Sequence, residues 1–206
     1  MRSVRLAVAI LFSITAGLTS AAFAQIDCPI EGAPKPGGHP LTPDKIQLNT
    51  YKNRSWFPMF TTPKTVDDIL ALPHADDPSL DNTGVVLEGY LLNLQQEGPE
   101  SPNCYRADLH DFHMWIGKTT AKTLKARNAL RRKSVVVEPT PRTQAMNPSW
   151  TKANLNKIRG QRVRITGWLM YDFEHPPQVG KTRGTLWEVH PVMKMEVLRE
   201  GQWVQF

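Results

Sequence analysis

Cysteine is scarce in this chain, with two in 206 residues, and beyond residue 24 no apolar run approaches the ~20 residues that a membrane-crossing helix requires. A helical anchor in the body of the protein is therefore not expected. Several motifs of common chemistries are missing too: there is no GxSxG around a nucleophilic serine and no GxxxxGK[ST] phosphate loop. HExxH, paired CxxC and the DxDxDG calcium loop are likewise absent, as are internal repeats and low-complexity tracts. None of those chemistries has a sequence warrant here.

What is present begins with an export signature. Arg2 and Arg5 precede an apolar run through Leu6 to Ile14, and Ala22-Phe23-Ala24 stands ahead of Gln25, the three-part pattern of a secretory signal peptide over residues 1–24. Cys28 lies three residues beyond Gln25, not at the cleavage point, which argues against lipidation. The mature chain is expected to be soluble, and periplasmic or secreted. Removing Arg2 and Arg5 from 25 basic residues leaves 23 against 19 acidic ones, so the mature balance is a mild +4. In an oxidising compartment Cys28 and Cys104 can pair without remainder, and a disulfide between them is expected; two free thiols are the alternative.

Residues 25–83 read as a proline-rich arm with a short helix. Leu48, Tyr51, Trp56, Phe57 and Phe60 are too apolar for a free tail, so the arm is expected to lie across the domain surface. Thr65-Val-Asp-Asp68 reads as a capping box before Ile69, Leu70 and Leu72. From residue 84 to 206 the hydrophobic period is two. Strands are expected at Val85 to Leu94, with a bulge or bend at Gly89, then Leu109 to Ile116, Ser134 to Glu138, Gln161 to Tyr171 and Thr185 to Leu198. In the last of these Trp187, Val189, Met193, Met195 and Val197 are expected to share one face. A helical stretch opening at Pro148-Ser149-Trp150 and capped by Gly160 falls between strands three and four. Three strands, a helix and two strands, with a bend glycine in strand one, predict a mainly β, five-stranded OB-fold-like Greek-key barrel with added helices and an extended N-terminal arm.

The succession GVVLEGYLLNL, DFHMWIG, VVVEPTPR, GQRVRITGWLMYD and TLWEVHPVMKMEV resembles a group of exported bacterial OB-fold-like proteins of uncharacterised function, over about residues 84–198. The resemblance implies the fold and supplies no activity. The strand order is also similar to that of staphylococcal-type thermonucleases, whose arginine and carboxylate active-site motif has no match here.

The densest chemistry lies in DLHDFHMWIG, residues 108–117, where Asp108 and Asp111 interleave with His110 and His113. With Phe112, Met114 and Ile116 pointing into the barrel, alternation places Asp111, His113 and Trp115 together outside. One strand cannot turn all four polar groups to one ion. A metal site would need separated strands, and Glu138, His175, Glu188 and His190 are the further candidate ligands. The metal set drawn from these is Asp111, His113, Glu138 and His190, with a divalent metal as candidate cofactor. The competing reading makes Asp111, His113, Glu188 and His190 the outward half of alternating strands, engaged in cross-strand pairs.

Two long loops, Gln95 to Ala107 and Asp172 to Gly184, would flank a groove carrying Trp115, with Lys181 and Arg183 at its rim, suited to stacking bases or sugars beside anionic groups. Alternatively the aromatic arm covers Trp115. Lys118 to Lys133 holds seven basic residues and no acid, and is expected to form an exposed helix whose Arg131, Arg132 and Lys133 meet phosphates or simply face solvent. Its apolar residues are too few for membrane insertion. The leading expectation is thus an exported OB-fold binding module for an anionic or polymeric partner, nucleic acid, oligosaccharide or another envelope component. The alternative is a metal-dependent hydrolase such as a phosphodiesterase.

Overall fold

The computed structural model describes residues 26–206; the expected signal peptide, residues 1–24, lies outside the described residues. Alternating apolar residues build one mainly β sheet from β1 (Thr61–Thr65), β2 (Gly84–Gln96), β3 (Phe112–Gly117), β4 (Ser134–Val137), β5 (Arg162–Tyr171), β6 (Trp187–Arg199) and β7 (Gln202–Gln205). The order is β1-β2-β3-β4-β6-β5, and β5 returns to pair with β2, closing a five-membered ring; β7 adds to β6 and β1 lies outside β2. Most neighbours are antiparallel, whereas β4 and β6, and β1 and β2, run parallel. Val85, Leu87, Leu91, Met114, Ile116, Val135, Val137, Ile165, Leu169, Trp187 and Val189 fill the interior with their neighbours.

The ring is irregular. In β2 the register shifts between Leu91 and Asn93, so the inward series passes from Leu91 to Leu94 and Leu92 turns outward. Gly89, expected at the bulge, instead marks a close approach: a Cβ there would stand 2.5 Å from Ile116 Cγ2 and 2.9 Å from the Gly117 carbonyl oxygen. A second irregularity at Gly167, whose Cβ would lie 2.4 Å from the Pro191 carbonyl oxygen, slips the phase of β6. Val192, not Met193, consequently joins the core beside Met195 and Val197. Strict alternation fails there because one residue is accommodated without a partner.

The capping box at Thr65 is present, with Asp68 at its third position, and opens α2 (Val66–Leu70), which buries Val66 and Ile69. Between β4 and β5 come α4 (Pro141–Met146), which the sequence reading missed, and α5 (Lys152–Lys157); Trp150, Leu155 and Ile158 pack into the core and Gly160 takes a left-handed φ of 81°. The segment expected as one helix over residues 118–133 is shorter: α3 (Leu124–Leu130), then a single 3-10 turn Arg131–Lys133.

The arm is not wholly extended. Thr42 accepts the Lys45 amide and Pro43 occupies the first turn of α1 (Pro43–Lys52), whose Leu48, Asn49 and Lys52 are buried. Trp56, Phe57 and Phe60 remain exposed, contrary to the expected packing, although Arg54 before them and Pro58 among them are buried and the Trp56 carbonyl accepts a hydrogen bond from Trp168. A disulfide joins Cys28 to Cys104, fixing the arm to the loop between β2 and β3. No helix of the described residues is long and apolar enough to cross a membrane.

Candidate metal centre

Asp111, at the threshold of β3, and His113 and Trp115 within it turn away from the core, as do Val136 on β4 and Glu188 and His190 on β6. Glu138 continues β4 by one residue. Lateral pairing brings the strands together, with Trp115 opposite Val136 and Val136 beside Glu188. This outer face is not wet. α1 and the 3-10 turn Ser101–Asn103 lie over it, so Asp111, Glu138, Glu188 and His190 are all buried. Expecting solvent-facing cross-strand pairs fails for that reason: the arm forms a second layer.

Asp111, Glu138 and His190 each offer one ligand atom within 4.8 Å of the others. Glu188 Oε1 stands 3.1 Å from His190 Nδ1. An ionised carboxylate only accepts, so Nδ1 carries a proton, and whenever the ring is neutral its lone pair lies on Nε2. That Nε2 is 3.8 Å from Asp111 Oδ2. Both atoms are buried and neither has a hydrogen-bond partner among the described residues. Orphaned buried acceptors are costly unless a proton or cation lies between them. Tetrahedral bonds of about 2.0–2.2 Å set ligand atoms roughly 3.3–3.6 Å apart, so the Asp111–His190 pair needs only a small contraction to share an ion.

The surroundings orient these ligands. Asn103 Nδ2 donates to Asp111 Oδ1 at 3.0 Å, and His113 Nδ1 lies 2.9 Å from Glu138 Oε1. His113 stands behind Glu138 and not in the triad. Glu188 is held by Arg183, which also binds Asp172 at 2.7 Å, and Asp172 in turn contacts half-exposed His175 at 2.6 Å. A carboxylate on the far nitrogen of a ligating histidine is the usual arrangement around a metal.

Charged groups crowd this layer. Four carboxylates, Asp111, Glu138, Asp172 and Glu188, are buried with two cations, Lys52 and Arg183. Burial, reinforced by Glu100 and Glu138, pushes the Asp111 carboxyl well above the carboxylate range. Glu138 behaves oppositely: burial would raise it, but His113, His190 and Lys52 hold it low. Burial also works against the Lys52 ammonium, and Asp172, Glu188, Glu100 and Glu138 more than offset it, raising its pKa. Asp111 is thus the carboxyl of this layer whose ionisation its surroundings oppose.

The expected groove is not at Trp115. That ring is 3% exposed, packed with Leu92 and Val136, and the Arg131 guanidinium lies 3.5 Å from its centroid, on the face a base or sugar would use. The cover comes from the segment after α3, not from the aromatic arm. Arg183 is buried between two carboxylates and cannot serve at a rim, whereas Lys181, Arg132 and Lys133 are exposed. A groove of about 850 Å³ spans β1, β2, β5 and β6, and Trp115 does not line it. Of the other polar candidates, Asp108 is exposed and paired with Arg106, and His110 Nδ1 contacts the Glu97 carbonyl, both outside the triad.

Lys52, Asn103 and Asp172 were not singled out by sequence. Thr42-Pro43-Asp44 was the available signal for α1, and Leu48 and Lys52, four apart on its face, would have followed. Asn103 carried no such signal. No protein-family model matches the chain, and no curated protein is significantly similar to it.

Proposed function

We propose that this chain is an exported OB-fold-like module that holds one divalent ion of the first transition row, such as Zn²⁺, between Asp111, Glu138 and His190. The reading rests on one observation: Asp111 Oδ2 and His190 Nε2 face each other at 3.8 Å, buried and without hydrogen-bond partners among the described residues. The closed ring order with β4 and β6 parallel supports the OB-fold assignment, and the disulfide supports a periplasmic or secreted location. A mixed nitrogen and oxygen donor set suits Zn²⁺ or Mn²⁺ better than Ca²⁺ or Mg²⁺, and the absence of sulfur disfavours Cu(I). Binding is favoured over the hydrolase alternative because Asp111 and His190 are 0% exposed, and hydrolysis needs a coordination position that substrate and water reach. The fourth candidate, His113, serves by orienting Glu138. Elemental analysis of untagged protein should find close to one equivalent per chain. Protein that stays metal-free after incubation with zinc would sink the reading.

A second reading, contact with an anionic polymer, is favoured by the basic segment. Of the seven cations from Lys118 to Lys133, only Lys118 has an ion pair among the described residues, to Asp67. Arg131 is used by Trp115, leaving Lys122, Lys125, Arg132 and Lys133 exposed. If phosphates or sulfates bind there, retention on heparin should weaken steeply with salt and fall further in Arg132→Gln/Lys133→Gln. Unchanged retention would make the segment a solvated face.

A further inference from the structure

Four large apolar side chains stay exposed within five consecutive residues: Trp56, Phe57, Met59 and Phe60, from 50% exposed at Trp56 to 87% at Met59. With about 150–250 Å² to an aromatic side chain, they offer roughly 500 Å² of apolar surface, as much as the largest patch on a typical monomer. The backbone beneath them is clamped. Buried Pro58 packs on Gly84, where a Cβ would stand 2.4 Å from the Pro58 Cβ and 2.3 Å from the Phe60 carbonyl oxygen. Trp168 Nε1 donates to the Trp56 carbonyl at 2.9 Å, and the Arg54 guanidinium lies 4.5 Å from the Trp168 ring and donates to the Asp81 carbonyl. A tethered backbone under projecting rings is arranged in advance for a partner, because little loop ordering is left to oppose binding.

Charge narrows the partner. Residues 55–63 are uncharged and bracketed by Arg54 and Lys64, and no aspartate or glutamate occurs from residue 45 to residue 66. The first acids beyond are engaged: Asp67 pairs with Lys118, and Asp68 accepts hydrogen bonds from the Thr65 amide and hydroxyl, both at 2.7 Å. An apolar loop with a cationic foot and no acid suits a surface that is anionic outside and hydrocarbon within. A second copy of the chain fits less well. Phe60 leads directly into β1, the edge strand along which two copies would join, and Pro63 and Lys64 on that strand both oppose edge pairing. A lipid surface needs no complementary hollow for side chains that project this far.

We propose that residues 56–60 dock the protein onto the surface of a bilayer bearing anionic lipid, with Trp56, Phe57, Met59 and Phe60 among the upper acyl chains and Lys64 at the headgroups. The seating is peripheral, since five residues enter one leaflet and do not cross it. It rests on no residue of the ion site.

Co-sedimentation of the full mature chain with lipid vesicles tests it. Partition onto vesicles of phosphatidylethanolamine and phosphatidylglycerol is expected, and about fivefold weaker partition onto phosphatidylcholine alone. Met59→Ser/Phe60→Ser, which alters two side chains too exposed to support the fold, should weaken partition at least tenfold at an unchanged Tm. Lys64→Gln should weaken it about fivefold on the anionic vesicles only. No partition onto either kind of vesicle, or equal partition onto both, would overturn the proposal. So would a double variant that still binds, as it would if the basic segment alone held the vesicle, or a wild-type dimer in solution that the double variant dissociates.

Discussion

Asp111→Asn should abolish ion binding and yet leave the metal-free protein at least as stable as the metal-free wild type. Asparagine keeps the shape and the contact with Asn103, but it removes a carboxylate whose ionisation the buried surroundings oppose. A residue with a purely structural role would destabilise the fold when changed, so the two effects separate. His190→Ala should also lose the ion, with the added penalty of a cavity in a buried layer. Binding is expected to fall by more than about a hundredfold in each, since removing even an orienting partner typically costs ten- to a hundredfold. At a free-ion concentration a thousand times Kd, the ion stabilises the wild type by about 4 kcal/mol. A chelator should therefore lower its Tm by roughly 10 °C and leave that of Asp111→Asn unmoved, as differential scanning calorimetry would show. A chelator shift of equal size in the variant would place the ion elsewhere.

Cutting the link between arm and ring should have an effect of similar size. The Cys28–Cys104 bridge spans a sequence separation of 76, for which the loop-closure model gives about 4.5 kcal/mol. Its loss also reaches the ion site. Cys104 adjoins Asn103, which orients Asp111, and the carbonyl of Cys28 accepts a hydrogen bond from Arg142. With the arm released, α1 no longer holds Lys52 in the buried layer. Cys28→Ser/Cys104→Ser is thus expected to unfold about 10 °C lower and to bind zinc at least tenfold more weakly. A double variant that kept both the melting temperature and the affinity would show that the bridge supports neither.

The ring was legible because period-two alternation is strong wherever one face packs on a core, as in Arg162–Tyr171. It misled where the backbone slips. Counting in twos puts Met193 on the face of Trp187 and Val189, but the irregularity opposite Gly167 moves Val192 there, and nothing in the sequence marks that residue beyond the glycine itself. The histidine and acids of the triad were visible as residues on three strands. Their burial was not, because it depends on a helix within a stretch whose prolines suggested an extended arm. Arg183 illustrates the same limit: a basic residue in a long polar loop reads as a surface group until its partners, Asp172 and Glu188, are seen to be buried on either side of it.

Crystals of the zinc-loaded chain, with diffraction recorded at and below the zinc absorption edge, test the central claim most directly. The expected result is one strong anomalous peak between Asp111 Oδ2 and His190 Nε2, about 2.0–2.2 Å from each, with Glu138 as third ligand. A peak only on exposed histidines such as His175, or none at this position at full zinc occupancy, would contradict it.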